Sequence, residues 1–344
     1  MGYRFYTSSQ TALAGMFSAI ESARSCVYLE MYIFEHDQTG REFLSVLEDK
    51  AREGVRVIVV LDSIGSFGVT SAEIAHLKSS GAEVLFFSFW FRRTHRKILI
   101  VDDAIVFLGG VNISGRFARW KDLQVRLTGK RIAQSALRSF ARVYHQCGGT
   151  NPALINIAAP HFFKRARLWF QEHGVGPKHR SLRRYYEEHI DGALHSIMLI
   201  TPYFIPHRWL IARLHSAILR GVRVTIIVPK LTDHPLVDRV NEYYLDIFFQ
   251  LGAVCFQGTT MNHAKVMLID NREGTIGSHN LDALSFDWNV EASVFFDSPT
   301  MVKHLGKIIM GWKTDSIPYA PQTDHSLWYD LPLRLFLRVF RSIL

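Results

Sequence analysis

The chain repeats itself, and that limits its folds more than any other feature, because a fixed offset between similar segments implies one supersecondary plan used twice. His95, Lys97, Asp102, Gly109 and Asn112 recur as His263, Lys265, Asp270, Gly277 and Asn280, each pair 168 positions apart. Upstream, Gly54-Val55-Arg56-Val57 returns as Gly221-Val222-Arg223-Val224 at an offset of 167, and Tyr32-Ile33-Phe34 is echoed by Tyr203-Phe204-Ile205.

Each half reads as helix, apolar strand, helix, a strand opening with Gly-Val, and a motif strand. In the first half these are 13–24, 27–34, 43–53, 55–61 and 98–107. The second half gives 182–194, 197–203, 210–219, 222–228 and 266–276. Alternation of strands and helices predicts an α/β fold with sheets covered on both faces. The expected organisation is a first half over 1–150, a connecting segment over 151–180, a second half over 181–322 and a basic amphipathic tail over 323–344.

A chain of 344 residues that is 48% hydrophobic with 11 prolines is long enough for a sizeable core. Its formal charge of +9 points to anionic partners: nucleic acid, an acidic membrane surface or a phosphorylated substrate. Cys26, Cys147 and Cys255 are too few and too scattered for a disulfide framework or a zinc pattern, which suits a reducing compartment. The start carries no signal-peptide pattern, and runs such as Val57–Leu61 are too short to span a bilayer, so any membrane contact is expected to be peripheral.

Both motif copies read His-x-Lys-x4-Asp. Alternate side chains of a strand share a face, so each half presents an imidazole beside an ammonium. Lysine is a poor metal ligand, and no metal or cofactor is expected from this pairing. It suits phosphate well: the ammonium and the asparagine amides meet the non-bridging oxygens and gain strength as negative charge builds. A neutral imidazole can attack phosphorus while a second, protonated one gives its proton to the leaving alkoxide.

In these motifs the sequence resembles the phospholipase D superfamily, and within it the bacterial cardiolipin synthases of the short type without N-terminal transmembrane helices. The resemblance rests on Gly54-Val55-Arg56-Val57, Asp62-Ser63-Ile64-Gly65-Ser66, His95-Arg96-Lys97, Gly109-Gly110-Val111-Asn112-Ile113-Ser114, Thr201-Pro202-Tyr203-Phe204-Ile205-Pro206, His263-Ala264-Lys265 and Gly277-Ser278-His279-Asn280-Leu281-Asp282. It implies two α/β/α sandwich halves packed with pseudo-two-fold symmetry around one shared active site. It further implies His95 as nucleophile and His263 as general acid and then base, an order that near-symmetry leaves reversible. Lys97, Lys265, Asn112, Asn280 and Ser278 would hold the phosphate, and Asp102 and Asp270 would orient or charge-tune the histidines across the interface between the halves. Glu291 matches a family position too, although it would equally suit a structural partner for a lysine. The segment Asp282-Ala283-Leu284-Ser285 departs from the family pattern, where many members carry arginine.

The implied reaction is phosphatidyl transfer from an anionic phospholipid such as phosphatidylglycerol to an alcohol acceptor, at the cytoplasmic face of the cell membrane. Two stretches suit a lipid surface. In 326–344, Arg334, Arg338 and Arg341 recur at helical spacing among Leu, Phe and Trp, and Phe86-Phe87-Ser88-Phe89-Trp90-Phe91-Arg92-Arg93 runs into the first motif. The tail would equally fit a terminal helix docked on the body of the protein, and the second stretch a buried strand followed by a solvated turn. Three further readings stay open: a phospholipase D hydrolase, a nuclease or other phosphodiesterase on the same scaffold, and a non-catalytic membrane-binding scaffold, which the intact motifs disfavour.

Overall fold

The computed structural model describes residues 2–157, 167–174 and 181–321. The chain divides into two compact units, Met1–His179 with Ile276–Ser278 and Trp288–Phe295, and Arg180–Thr275 with His279–Asp287 and Phe296–Leu344.

The first unit opens with β1 (Gly2–Ser8), α1 (Ser9–Glu21), β2 (Cys26–Met31), α2 (Gln38–Arg52), β3 (Arg56–Asp62), α3 (Ser71–Ser79) and β4 (Glu83–Phe87). Then come β5 (Lys97–Val101), β6 (Ile105–Gly109), β7 (Lys121–Thr128), α4 (Lys130–Gln146), α5 (Pro152–Ile157) and β8 (Leu168–His173). Local chemistry sets the helix starts: Ser8 and Asp37 each accept a backbone N–H of the first turn, and Thr70 and Glu73 close a capping box. Seven strands pair in the order β1-β7-β6-β5-β2-β3-β4. β2, β3 and β4 are parallel, and β5 returns antiparallel along β2.

Every residue of β2 is buried, which requires cover on both faces of the sheet. Val27, Leu29 and Met31 share a core with Met16 and Ile20 of α1 and with Phe43 and Leu47 of α2. On the other face Tyr28 meets Phe140 of α4, ring centroids 5.5 Å apart.

The second unit follows the same plan with α6 (Ser181–Asp191), β9 (Ser196–Ile200), β10 (Phe204–Ile205), α7 (Arg208–Leu219), β11 (Arg223–Pro229), α8 (Pro235–Gln250), β12 (Val254–Gly258) and β13 (Val266–Ile269). β9, β11 and β12 are parallel, and β13 runs antiparallel to β9. The chain continues through β14 (Glu273–Gly277), β15 (Leu281–Asp282), α9 (Ala283–Asp287), β16 (Glu291–Phe296), α10 (Pro299–Thr314) and β17 (Ser316–Pro318), which pairs antiparallel with β12.

The motif strand differs from expectation. The stretch 98–107, read as one strand, is the β5–β6 hairpin, turning at Asp102 and Asp103 with φ of 52° and 49°. The Ala104 N–H donates to the Val101 carbonyl across the turn at 3.1 Å. Asp270 and Asn271 do the same between β13 and β14, with φ of 52° and 50°. Asp and Asn tolerate the left-handed region that such tight turns demand, so the motif's aspartate is also a turn residue.

Among the described residues no helix is long and apolar enough to cross a membrane. The tail 323–344 lies outside the described residues, as do 158–166 and 175–180 of the connecting segment.

Candidate functional site

Because β5 is antiparallel to β2, its start lies where β2, β3 and β4 finish, and His95 sits at that end of the sheet. The His95 N–H donates to the Val290 carbonyl at 2.9 Å, and the Val290 N–H donates to the Arg93 carbonyl at 2.8 Å. This pairing places the next residue, Glu291, against the imidazole: its carboxylate oxygens lie 3.1 and 3.2 Å from His95 Nδ1. His95 is 8% exposed and Glu291 fully buried. A carboxylate only accepts, so Nδ1 carries the proton and, in a neutral ring, Nε2 carries the lone pair.

Burial alone would raise the Glu291 carboxyl. The charge of His95 and its hydrogen bond, then Lys97 and a hydrogen bond from Ser278, instead hold it down at about 2. Glu291 thus pairs directly with the histidine and lies within the field of a lysine. The Ser278 hydroxyl donates to this carboxylate.

Lys97 is fully buried. Its Nζ donates to the His95 carbonyl at 2.7 Å and lies 4.8 Å from the centroid of the Tyr32 ring, which itself stands edge-on 4.7 Å from His95. The Asn112 Oδ1 accepts the Ile33 N–H at 3.3 Å, which fixes the orientation of the amide.

A buried polar layer supports this end of the sheet. Asp62 accepts the Thr94 N–H at 2.8 Å with one carboxylate oxygen and the Ile64 and Gly65 N–H groups with the other. The Thr94 hydroxyl donates to Glu30, and Glu30 pairs with Arg96 at 2.9 Å, both side chains fully buried. Arg96 points to the opposite face from His95 and Lys97, as strand alternation requires.

In the second unit His263, Lys265 and Asn280 are likewise buried. Lys265 Nζ donates to the His263 carbonyl at 2.6 Å, repeating the Lys97 geometry. The Tyr203 ring lies 6.2 Å from His263 and its hydroxyl donates to Asp233 at 2.7 Å, so the echoed tyrosines attend the motif histidine in both units. Asn280 Oδ1 is buried without a hydrogen-bond partner.

The motif aspartates go elsewhere. Asp102 accepts backbone N–H groups from Arg24, Ser25 and Cys26 and the Ser25 hydroxyl, tying the hairpin tip to the α1–β2 loop. Asp270 does the same with Leu194, His195 and Ser196. The carboxylate that faces the His95 imidazole is therefore Glu291, with Asp102 at the far end of β5.

Sequence reading passed over Asp122. The Gly110 N–H donates to the Leu123 carbonyl at 3.2 Å as the Ser278 N–H donates to the Ala292 carbonyl at 3.0 Å, so Asp122 holds the repeat position of Glu291. Its offset of 169 falls out of step with the motif's 168. An acidic residue shortly after Trp120, as Glu291 follows Trp288, was the available signal.

A duplicated α/β unit with a buried His-Lys pair at the start of each motif strand defines the class, and comparison with known proteins identifies the family. The chain matches the family described as cardiolipin synthase, PLD-like domain, over residues 16–144 and again over 186–311, and it belongs to that family. A cardiolipin synthase of Geobacillus sp. (strain WCH70) is 27% identical over 99% of this chain and 70% of its own length. Cardiolipin synthase A of Pseudomonas entomophila (strain L48) is 30% identical over 83% of this chain and 63% of its own length. The crystal structure of the phosphatidylserine synthase of Haemophilus influenzae Rd KW20 shares the fold with a TM-score of 0.78 at 16% identity, covering 99% of this chain and 93% of that one.

Proposed function

We propose that this chain is a phosphatidyltransferase of the cardiolipin-synthase type that works through a covalent phosphohistidine. The observation that carries the proposal is the His95 imidazole held through Nδ1 by a buried, ionised Glu291 with Lys97 alongside. A carboxylate there sets the tautomer and stabilises the imidazole as it becomes cationic on bonding to phosphorus.

His95 Nε2 attacks the phosphorus of a glycerophospholipid such as phosphatidylglycerol. The bond from phosphorus to the departing alcohol breaks, and that alkoxide takes its proton from His263. An incoming alcohol then gives its proton to His263, bonds to phosphorus and displaces His95. Lys97 and Lys265 offset the charge that builds on the non-bridging oxygens, and the Asn112 and Asn280 amides add donors. The scheme requires His263 to reach the same phosphorus as His95. Asp102 and Asp270 act as structural carboxylates in this reading. The protein would meet its lipid from the cytoplasmic face of the membrane as a peripheral enzyme.

The test is product analysis from labelled phosphatidylglycerol vesicles in chelator, with the parent protein and His95→Ala side by side. Cardiolipin formed by the parent alone supports transfer, and phosphatidic acid would show water as the acceptor. Lipid turnover by His95→Ala equal to the parent's would overturn the phosphohistidine scheme. Absence of lipid turnover would turn attention to nucleic-acid phosphodiesters.

A further inference from the structure

Six large apolar side chains on loops of the first unit, Ile64, Phe67, Phe89, Trp90, Phe91 and Trp288, stand exposed. Trp90 is 91% exposed, Phe67 84% and Phe91 75%. Single exposed apolar residues are ordinary, whereas aromatics gathered on neighbouring loops mark a contact surface.

Their placement is organised. Ile64 and Phe67 lie on the loop after β3, and Phe89, Trp90 and Phe91 on the loop after β4, parallel neighbours that finish at the His95 end of the sheet. One buried carboxylate, Asp62, holds both loops at their bases through the Ile64, Gly65 and Thr94 N–H groups. The Ser63 N–H also donates to the Phe87 carbonyl at 3.1 Å. The arginines brace the second loop: Arg92 donates to the Trp288 and Gly174 carbonyls, and Arg93 to the Phe89 carbonyl at 2.9 Å. Phe91 packs against Trp288 with ring centroids 6.5 Å apart. The Ser66 hydroxyl donates to the Tyr32 carbonyl at 2.9 Å, and the Tyr32 ring touches His95, so these loops are continuous with the candidate site.

We propose that the exposed aromatic tips of these two braced loops enter the interface of an anionic bilayer and present its phosphodiesters to the His95 end of the sheet. Tryptophan and phenylalanine favour that interface, and a chain of formal charge +9 is drawn to an acidic one. Bracing at the base means that little order has to be acquired on insertion. The inference rests on the lipid reading of the site, and in it the arginines hold the loop.

The experiment uses the full chain and two variants, Trp90→Ser/Phe91→Ser and, as a control in the second unit, Leu219→Ser at a side chain 76% exposed. Sedimentation with phosphatidylglycerol/phosphatidylcholine vesicles is read beside turnover of vesicles and of short-chain phosphatidylglycerol below its micelle concentration. The double variant is expected to lose vesicle affinity and vesicle turnover by ~10-fold or more while the control keeps both. Its short-chain turnover and melting temperature should match the parent's. Unchanged vesicle binding by the double variant overturns the surface, and so does self-association of the parent that the double variant abolishes. If the parent turns over neither lipid yet the double variant alone loses vesicle binding, the surface stands and the lipid chemistry falls.

Discussion

Asp102 and Asp270 adopt the same backbone angle, φ 52°, and each spends its carboxylate on the loop between a helix and the first parallel strand of its half. Burial pushes each carboxyl up, but the N–H groups converging on it prevail and hold it below its ordinary value. Replacing Asp102 by Ala removes the acceptor for three backbone N–H groups and puts a left-handed angle on a residue that disfavours it. Stability should fall by about 2 kcal/mol, read by denaturant unfolding. Asp102→Asn keeps both the angle and an acceptor and should cost less. The pH dependence of turnover by the folded fraction should match the parent's, and a displaced profile would return Asp102 to the catalytic group.

Glu291→Gln keeps the shape but not the charge beside His95. Turnover should fall by roughly 10²- to 10⁴-fold, the range for losing the carboxylate that orients a catalytic imidazole. Glu291 also ties stability to pH. Its folded value of about 2 lies below its ordinary 4.5, so its contribution is complete above about 4.5 and is lost as pH falls toward 2. Unfolding followed from pH 6 downward should show a steeper loss in the parent than in Glu291→Gln.

The repeat was legible because the turn geometry and the His-Lys pair each fix residue types at set spacings, and both halves kept them. The β-hairpin was not, since a run such as Lys97-Ile98-Leu99-Ile100-Val101 flows into Asp-Asp without glycine or proline to punctuate it. Two aspartates in the left-handed region do what Asn-Gly does elsewhere. The Glu291 contact with His95 joins residues far apart in sequence and depends on the Val290 backbone pairing, which no local pattern encodes. Glu30 and Arg96 were hidden for a different reason: each reads as an ordinary charge inside an apolar strand, and only burial shows that they pair.

Gly277→Ala tests why glycine follows fourteen residues after each motif histidine. A Cβ at Gly277 would stand 2.1 Å from Ser293 Oγ and 2.8 Å from the Ala292 carbonyl, backbone that adjoins Glu291. At Gly109 it would stand 2.2 Å from the Leu123 carbonyl, which adjoins Asp122. Each substitution should cost about 2 to 4 kcal/mol by forcing the strands apart, and the displaced carboxylate should lower turnover of the protein that still folds. A Gly277→Ala protein with parental melting temperature and turnover would show that the close approach is not needed.

Arg96 and Glu30 form a fully buried ion pair two strands deep in the sheet, and removing either partner strands a charge. Burial raises the Glu30 carboxyl, and Arg96, then Thr94, oppose it. Arg96→Ala leaves that carboxylate without its cation and opens space, so it should destabilise the protein by about 3 to 5 kcal/mol. Arg96→Met with Glu30→Leu replaces the pair by apolar volume and should recover most of that loss, because the desolvation cost disappears along with the attraction. Thr94 gives its hydroxyl to Glu30 and immediately precedes His95, so the double variant also measures what the pair does for the site. Recovered stability with turnover still depressed would show that the pair positions His95. Recovery of both would show that its part is confined to the fold.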